Sequence, residues 1–301
     1  VTAPIVGLQA LDELWFQVTG TRCNLTCTHC FISCSPDNLA FGYLDRATIE
    51  RFLEESKSEG VKEYYFTGGE PFLHPEMLDI LELTLRYGPA SVLTNGTIMT
   101  DRIVERLARI ERAAPYSLEL RVSIDHFDEA ANDAIRGKGA WRMALKGVGR
   151  LARAGFLPIV TAMRTWEIDD DLRAIESFSR VLAEFGVERP RFKLLPALKI
   201  GAEVVRAGGY APSEIVTEAM MDGYPVSQLI CSHSRIVTDR GVHVCPILIE
   251  AEDSVLGPTL AEARRPYALA HQACYTCYLY GAICTNAPSS MSETGSAPMR
   301  K

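Results

Sequence analysis

Residues 20–34 read Gly-Thr-Arg-Cys-Asn-Leu-Thr-Cys-Thr-His-Cys-Phe-Ile-Ser-Cys and hold Cys23, Cys27 and Cys30 in a Cys-x3-Cys-x2-Cys spacing. Three thiolates on one short loop can grip three irons of a four-iron cluster, because cysteine thiolates are the usual ligands of such clusters. The fourth iron is then open, and an open position is what lets a metal site take a substrate group as well as hold a fold. A structural zinc site or a buried thiol group is the other use of such spacing. The stretch lies in a segment without periodicity from about Thr19 to Tyr43. Loops beyond roughly 12–15 residues tend to be functional or disordered, and the cysteines favour the former.

Outward from this loop, strand and helix signals alternate. Residues 14–19 read as a strand that delivers the chain into the loop. Residues 45–59 carry Ile49, Phe52 and Leu53 at helical spacing behind Asp45 as N-cap. The unit recurs, with strand signals at Glu63–Phe66, Ser91–Thr94, Leu118–Ile124, Pro158–Met163 and Phe192–Leu195. Between them fall helical patterns over 76–87, about 100–112, 127–135 with 140–154, and about 169–185. Six such units in succession predict a parallel sheet with right-handed crossovers and helices outside. They end near residue 200, whereas eight units typically need about 250 residues. The expectation is therefore an α/β fold, an open, partial (β/α)6 barrel over residues 1–200. Parallel α/β folds place ligands at the carboxyl edge of the sheet. The cysteine loop, Gly68-Gly69-Glu70, Asn95-Gly96, Asp125 and Arg164 are thus expected to converge on one mouth.

With 301 residues and 47% hydrophobic content, the chain has ample material for a globular core. No run approaches the roughly 18 apolar residues of a membrane span, and the first residues lack the basic-then-apolar order of a signal peptide. A cytoplasmic location without membrane contact is expected. The formal charge of −7 argues against nucleic acid as a partner, since that binding relies on clustered Lys and Arg; it suits a cationic small molecule better. Four of the nine cysteines lie between residues 23 and 34, five between 231 and 284, and none between the groups. In a reducing compartment this placement implies two metal sites and no disulfides.

The cysteine triplet, with the aromatic His29 before its third member, resembles the signature of the radical S-adenosylmethionine (radical SAM) superfamily. Gly68-Gly69-Glu70, directly after a strand, resembles the motif that binds the amino group of S-adenosylmethionine in that family. The resemblance implies a [4Fe-4S] cluster on Cys23, Cys27 and Cys30 whose open iron chelates S-adenosylmethionine, with reductive cleavage to a 5′-deoxyadenosyl radical. It implies an external electron donor of the flavodoxin or ferredoxin type. Glycines let main-chain groups approach a ligand closely, and Glu70 supplies an acceptor for the ammonium. The same resemblance implies cofactor contacts at Ser123 and Asp125 to the ribose, at Arg164 to the carboxylate and at His29 to the adenine. Asn95 belongs to the cofactor site or serves only its own turn.

Beyond residue 200 the alternation stops. Residues 201–230 read as a linker with one short helix near 213–221, and a hairpin follows from Ser234–Thr238 and Val242–Val244 around Asp239-Arg240-Gly241. Cys231 precedes the hairpin, Cys245 follows it, and Cys274, Cys277 and Cys284 come later. The pattern resembles the SPASM/twitch extension of radical SAM enzymes, and implies a twitch-type domain over 231–285 holding one auxiliary [4Fe-4S] cluster. Residues 286–301 are expected to be a disordered tail.

A closed cluster takes four cysteines and five are present. The family usually places four residues between the hairpin glycine and the next ligand, whereas three separate Gly241 from Cys245. A one-residue shift on a strand turns a side chain to the opposite face. One assignment therefore makes Cys231, Cys274, Cys277 and Cys284 the ligands and Cys245 a free thiol; the other keeps Cys245 and frees Cys284. Cys34 is expected to pack beneath the loop.

A free thiol beside a substrate radical can return a hydrogen atom from the opposite face and invert a carbon centre. The plan resembles the aminoglycoside-modifying members of the twitch group, epimerases of the neomycin type in antibiotic biosynthesis, with Cys245 as the catalytic donor and a cationic aminoglycoside as substrate. Three other readings stand beside it: a twitch-type dehydrogenase, a radical SAM peptide maturase, and a non-catalytic iron-sulfur electron carrier.

Overall fold

The computed structural model describes residues 2–281 and 283. After a short strand β1 (Ile5–Val6), the chain runs β2 (Glu13–Gln17), α1 (Arg46–Glu59), β3 (Glu63–Thr67), α2 (Met77–Thr84), β4 (Ala90–Thr94), α3 (Asp101–Ala113) and β5 (Leu118–Ser123). Two helices, α4 (Glu129–Arg136) and α5 (Ala140–Arg153), lead to β6 (Ile159–Met163), and α6 (Asp171–Glu184) leads to β7 (Arg191–Leu195). The C-terminal part holds α7 (Glu203–Ala207), α8 (Glu218–Met221), β8 (Ser234–Thr238), β9 (Gly241–His243), β10 (Val255–Gly257), β11 (Tyr267–Ala268) and α9 (Ala273–Tyr280).

Strands β2 to β7 pair with one another in sequence order, all parallel. This is the expected α/β succession. Its helices begin where capping side chains satisfy the first free N–H groups. Asp45 accepts from the Thr48 amide at 2.6 Å, and Thr100 and Asp128 cap α3 and α4 in the same way.

Alternation along the strands separates two environments. Leu14 and Phe16, Tyr64 and Phe66, Val92, Leu120 and Val122, Val160 and Ala162 share one core with the helices. Each fully buried Leu, Phe or Val among them contributes roughly 1.5–3 kcal/mol. On the other face, Trp15 stacks on Tyr65 with ring centroids 4.3 Å apart, and both pack with Cys23, Cys34 and Phe41 of the long loop.

The C-terminal hairpin joins this sheet. β8 lies parallel to β2, with Leu14 opposite Arg235 and Phe16 opposite Val237, and β9 and β10 follow antiparallel. The order is β10-β9-β8-β2-β3-β4-β5-β6-β7, nine strands in one sheet. β2 is thereby paired on both sides, and the extension beyond residue 231 is hydrogen-bonded to the first strand of the barrel. The stretch expected as linker contains α7 and the single turn α8 in place of one helix near 213–221. Among the described residues no helix is long and apolar enough to cross a membrane.

Candidate radical cofactor site

The carboxyl ends of the parallel strands open on a cavity of about 1300 Å³. Its walls include Cys23, Cys27 and Cys30 from the loop, Gly68 and Gly69 after β3, Asn95 after β4, and Ser123 and Asp125 after β5. These residues, spread over a hundred positions, meet because every strand of a parallel sheet ends on the same edge.

The loop is held from several sides. The Thr28 amide donates to Ile135 O at 2.9 Å, and the Ala202 amide donates to Cys30 O at 2.9 Å. Asn95 Nδ2 donates to Asn24 Oδ1 at 2.9 Å and reaches Cys23 Sγ at 3.7 Å, so this side chain orders the cysteine loop. Gly68 has φ 147, and a Cβ there would lie 2.3 Å from Thr19 Oγ1. At Gly69 a Cβ would stand 2.0 Å from Arg22 O, which no L side chain can accommodate. The Gly-Gly pair thus lets β3 press against the loop backbone.

Asp125 is buried and its carboxylate gathers three donors: His29 Nε2 at 2.5 Å, Arg136 Nε at 2.5 Å and the Met163 amide at 2.8 Å. Burial alone would raise this carboxyl, but Arg136 and His29 outweigh it and hold Asp125 well below the usual carboxylate range. The triad ties the cysteine loop, the end of β5, the end of α4 and the end of β6 into one unit. Breaking one side of a buried charge pair costs about 3–5 kcal/mol because the partner charge is left uncompensated. Asp125→Asn is therefore expected to lower stability by about that amount, read as a drop in the chemical-denaturation midpoint; a change within error would show that Arg136 finds its counter-charge elsewhere.

Two expected contacts are not brought to the cavity. Glu70 is fully buried behind the Gly-Gly turn, where Oε1 accepts from Thr94 Oγ1 at 2.7 Å and the Phe72 amide at 3.1 Å, and Oε2 accepts from the Asn95 amide at 2.7 Å. Burial pushes it up to about 7, and it acts as a strut between the ends of β3 and β4. Arg164 forms a two-pronged pair with Asp171 at 2.9 and 2.7 Å, which engages its guanidinium at the start of α6. The cations in the cavity wall are instead Arg136 and Arg121. Arg121 donates through Nε to Glu119 Oε1 at 2.9 Å and lies over the Tyr65 ring. Its signal in the sequence is the alternation of Glu119, Arg121 and Ser123 along β5, which marks a polar inner face. Arg136 has no such signal, because it closes a helix.

Cys34, expected beneath the loop, lines this cavity. Its amide donates to Cys30 Sγ at 3.2 Å. Hydrogen bonding from Cys34 holds the Cys30 thiol below its ordinary value, which favours the thiolate that binds metal. Burial pushes Cys23 up to about 11 and Cys27 up to about 12, so these two are thiols until a metal displaces their protons. Among the described residues no group of three or more His, Cys, Asp or Glu is arranged for a single metal ion. His29 Nδ1 is buried with no hydrogen-bond partner. Three soft donors on one loop, an orphaned ring nitrogen between them and a concave, largely apolar cavity beside them fit an iron-sulfur cluster with a nucleoside cofactor.

The profile of the radical SAM superfamily matches residues 18–172. The chain belongs to the radical SAM superfamily. Like the rest of that superfamily it binds S-adenosylmethionine and a [4Fe-4S] cluster, and the loop carrying Cys23, Cys27 and Cys30 falls within the matched residues. Similar radical SAM proteins include the antilisterial bacteriocin subtilosin biosynthesis protein AlbA of Bacillus subtilis, 30% identical over 164 residues, 52% of this chain and 34% of that protein. Mycofactocin maturase MftC of Mycobacterium ulcerans is 28% identical over 248 residues, 80% of this chain and 61% of its own length. The chain thus spans between a third and three fifths of these curated relatives. Among solved structures, Streptococcus suis SuiB bound to S-adenosylmethionine superposes with a TM-score of 0.60 at 15% identity, over 81% of this chain and 62% of that one. Native anSMEcpe with bound AdoMet gives 0.61 at 14% identity, over 87% and 81%. These likenesses extend the radical SAM fold beyond the matched segment.

A second, smaller cavity of about 350 Å³ is lined by Cys231, Cys245, Cys274 and Cys277, with apolar residues and Tyr267 as the rest of its wall. Cys274 and Cys277 project from one face of α9, three residues apart. Burial pushes Cys231 up to about 12 and holds Cys274 well above the ordinary thiol value. The expectation that Cys245 turns away from the other thiols is not met. β9 ends at His243, so strand alternation does not reach Cys245, and Val244 and Cys245 both line the cavity. Pro246 lines the larger cavity, so one peptide bond links the walls of the two. Cys284 lies outside the described residues; Ile283, just before it, lines the larger cavity.

Proposed function

We propose that this radical SAM protein is an epimerase of the neomycin type: it takes a hydrogen atom from a carbon of an aminosugar and returns one to the opposite face from a cysteine thiol. The observation that carries this reading is a surplus of thiols. The C-terminal group has five cysteines, a four-iron auxiliary cluster takes four, and one is left to carry hydrogen. The aminoglycoside substrate is supported by the resemblance and by the net charge of −7. Four thiols around one cavity support Cys231, Cys245, Cys274 and Cys277 as the auxiliary ligands, and the thiol left over is then Cys284.

Cys23, Cys27 and Cys30 would hold the cluster, which with S-adenosylmethionine would supply a 5′-deoxyadenosyl radical able to take hydrogen from the substrate. The chain's own residues hold and orient. Asp125 fixes His29 and Arg136 against the cysteine loop, Glu70 braces the Gly-Gly turn, and the apolar walls around Leu25, Phe31 and Leu198 keep water from the radical. The free thiol gives its hydrogen atom to the substrate carbon and becomes a thiyl. One electron from a ferredoxin- or flavodoxin-type donor and one proton from solvent restore it.

Anaerobically reconstituted protein with reductant, S-adenosylmethionine and neomycin C in deuterium oxide tests this. One solvent deuterium at one inverted carbon is expected; 5′-deoxyadenosine without inversion would refute it. A second reading, modification of a peptide, draws support from MftC and AlbA, maturation and biosynthesis proteins by name, and from the apolar cavity walls. A keto product with no deuterium exchange would instead mark a dehydrogenase.

A further inference from the structure

A buried cation stands against the smaller cavity. Arg235 lies on β8, 1% exposed, at the heart of the C-terminal extension. Its Nε donates to Ala263 O at 2.7 Å, Nη1 to Cys231 O and Ser234 O at 2.7 Å each and to Val244 O at 3.4 Å, and Nη2 to Arg265 O at 3.5 Å. Every one of these partners is a neutral backbone carbonyl. Among the described residues no carboxylate forms an ion pair with Arg235. Carbonyls satisfy its hydrogen bonds but leave its charge, and an unpaired buried charge is strongly unfavourable.

The ionisable side chains that act on Arg235 are the thiols of Cys231 and Cys245, with the like charge of Arg264 opposing. Two of its acceptors belong to Cys231 itself and to Val244, the residue before Cys245. The side chain thus touches the backbone that carries two of the cavity's thiols. A cubane with four thiolate ligands is a dianion that becomes a trianion on reduction. It would supply the negative charge that the surroundings of Arg235 lack.

We propose that Arg235 is the built-in counter-charge of the auxiliary cluster site: a positioning residue that holds the Cys231 and Cys245 segments together and favours the reduced cluster. This rests on the reading of the smaller cavity as an auxiliary [4Fe-4S] site. Cluster potentials follow net charge, hydrogen bonding and exposure. Loss of one adjacent positive charge therefore makes the trianion harder to form.

The test uses the full chain with Cys27→Ala, which removes the first cluster's signal, carrying in addition Arg235→Met or Arg235→Lys. The auxiliary cluster is reconstituted and titrated against dithionite-poised mediators by electron paramagnetic resonance. Arg235→Met is expected to lower its reduction equilibrium at least tenfold, about 59 mV for a one-electron couple, while Arg235→Lys stays near the parent because it keeps the charge. An unchanged potential in Arg235→Met, or an equal shift in Arg235→Lys, would reduce Arg235 to a backbone strut and overturn the proposal. A parent protein that takes up no auxiliary cluster would overturn the underlying site reading as well, and the iron count separates that failure from the first.

Discussion

Alanine at Cys23, Cys27 or Cys30 is expected to bring S-adenosylmethionine cleavage to background while the C-terminal site still fills. Each of these residues lines the larger cavity from a loop held by α4, by Asn95 and by the backbone of Ala202. A cluster with one open iron has only three protein ligands, so none is dispensable. Reconstituted iron should fall from about eight per chain to about four, and the remaining cluster should keep its absorbance and its potential. The fold should survive, because the sheet is built by the helix-facing residues from Leu14 to Ala162 and the loop contributes little to that core. Retention of 5′-deoxyadenosine formation in any one of the three variants would remove that residue from the ligand set.

The second large effect separates Cys245 from Cys284. Cys245 shares a cavity with Cys231, Cys274 and Cys277, so Cys245→Ala should lose the auxiliary cluster and about four irons. Cys284→Ala should keep iron at the parent level and still yield 5′-deoxyadenosine from S-adenosylmethionine, yet lose inversion and solvent deuterium in the product. A substrate radical with no hydrogen donor should then accumulate. The reverse pattern, full iron in Cys245→Ala with inversion lost, would return the donor role to Cys245 and make Cys284 the fourth ligand. Unimpaired inversion in both variants would end the thiol-donor account.

Much of this architecture is written locally. Asp45 announces α1 because an aspartate before an amphipathic run satisfies free amides wherever the helix later packs. The six parallel strands are legible because each is a short apolar run followed by polar punctuation. His29, Gly68, Gly69, Asn95, Ser123 and Asp125 all reach one cavity because strand ends share an edge. Pairing between distant strands has no such local trace: nothing in residues 234–237 says that they lie against residues 13–16. Arg164 misleads for a related reason. Its partner Asp171 stands seven residues on, at a helix start, and pairs with the guanidinium away from the cavity wall. Glu70 looks like a ligand because acidic groups after Gly-Gly turns often are, and only the three donors around it reveal a strut. For Cys245 the deciding fact is where β9 stops, and strand ends are the part of a sequence that periodicity defines least.

Electron paramagnetic resonance of the dithionite-reduced, reconstituted protein, recorded with and without S-adenosylmethionine, tests the open-iron site most directly. The cluster on Cys23, Cys27 and Cys30 should change its spectrum when the cofactor is added, and Cys27→Ala should abolish that change while leaving a second, cofactor-insensitive signal. A spectrum indifferent to S-adenosylmethionine, or stoichiometric zinc on those three thiols in the purified protein, would contradict it.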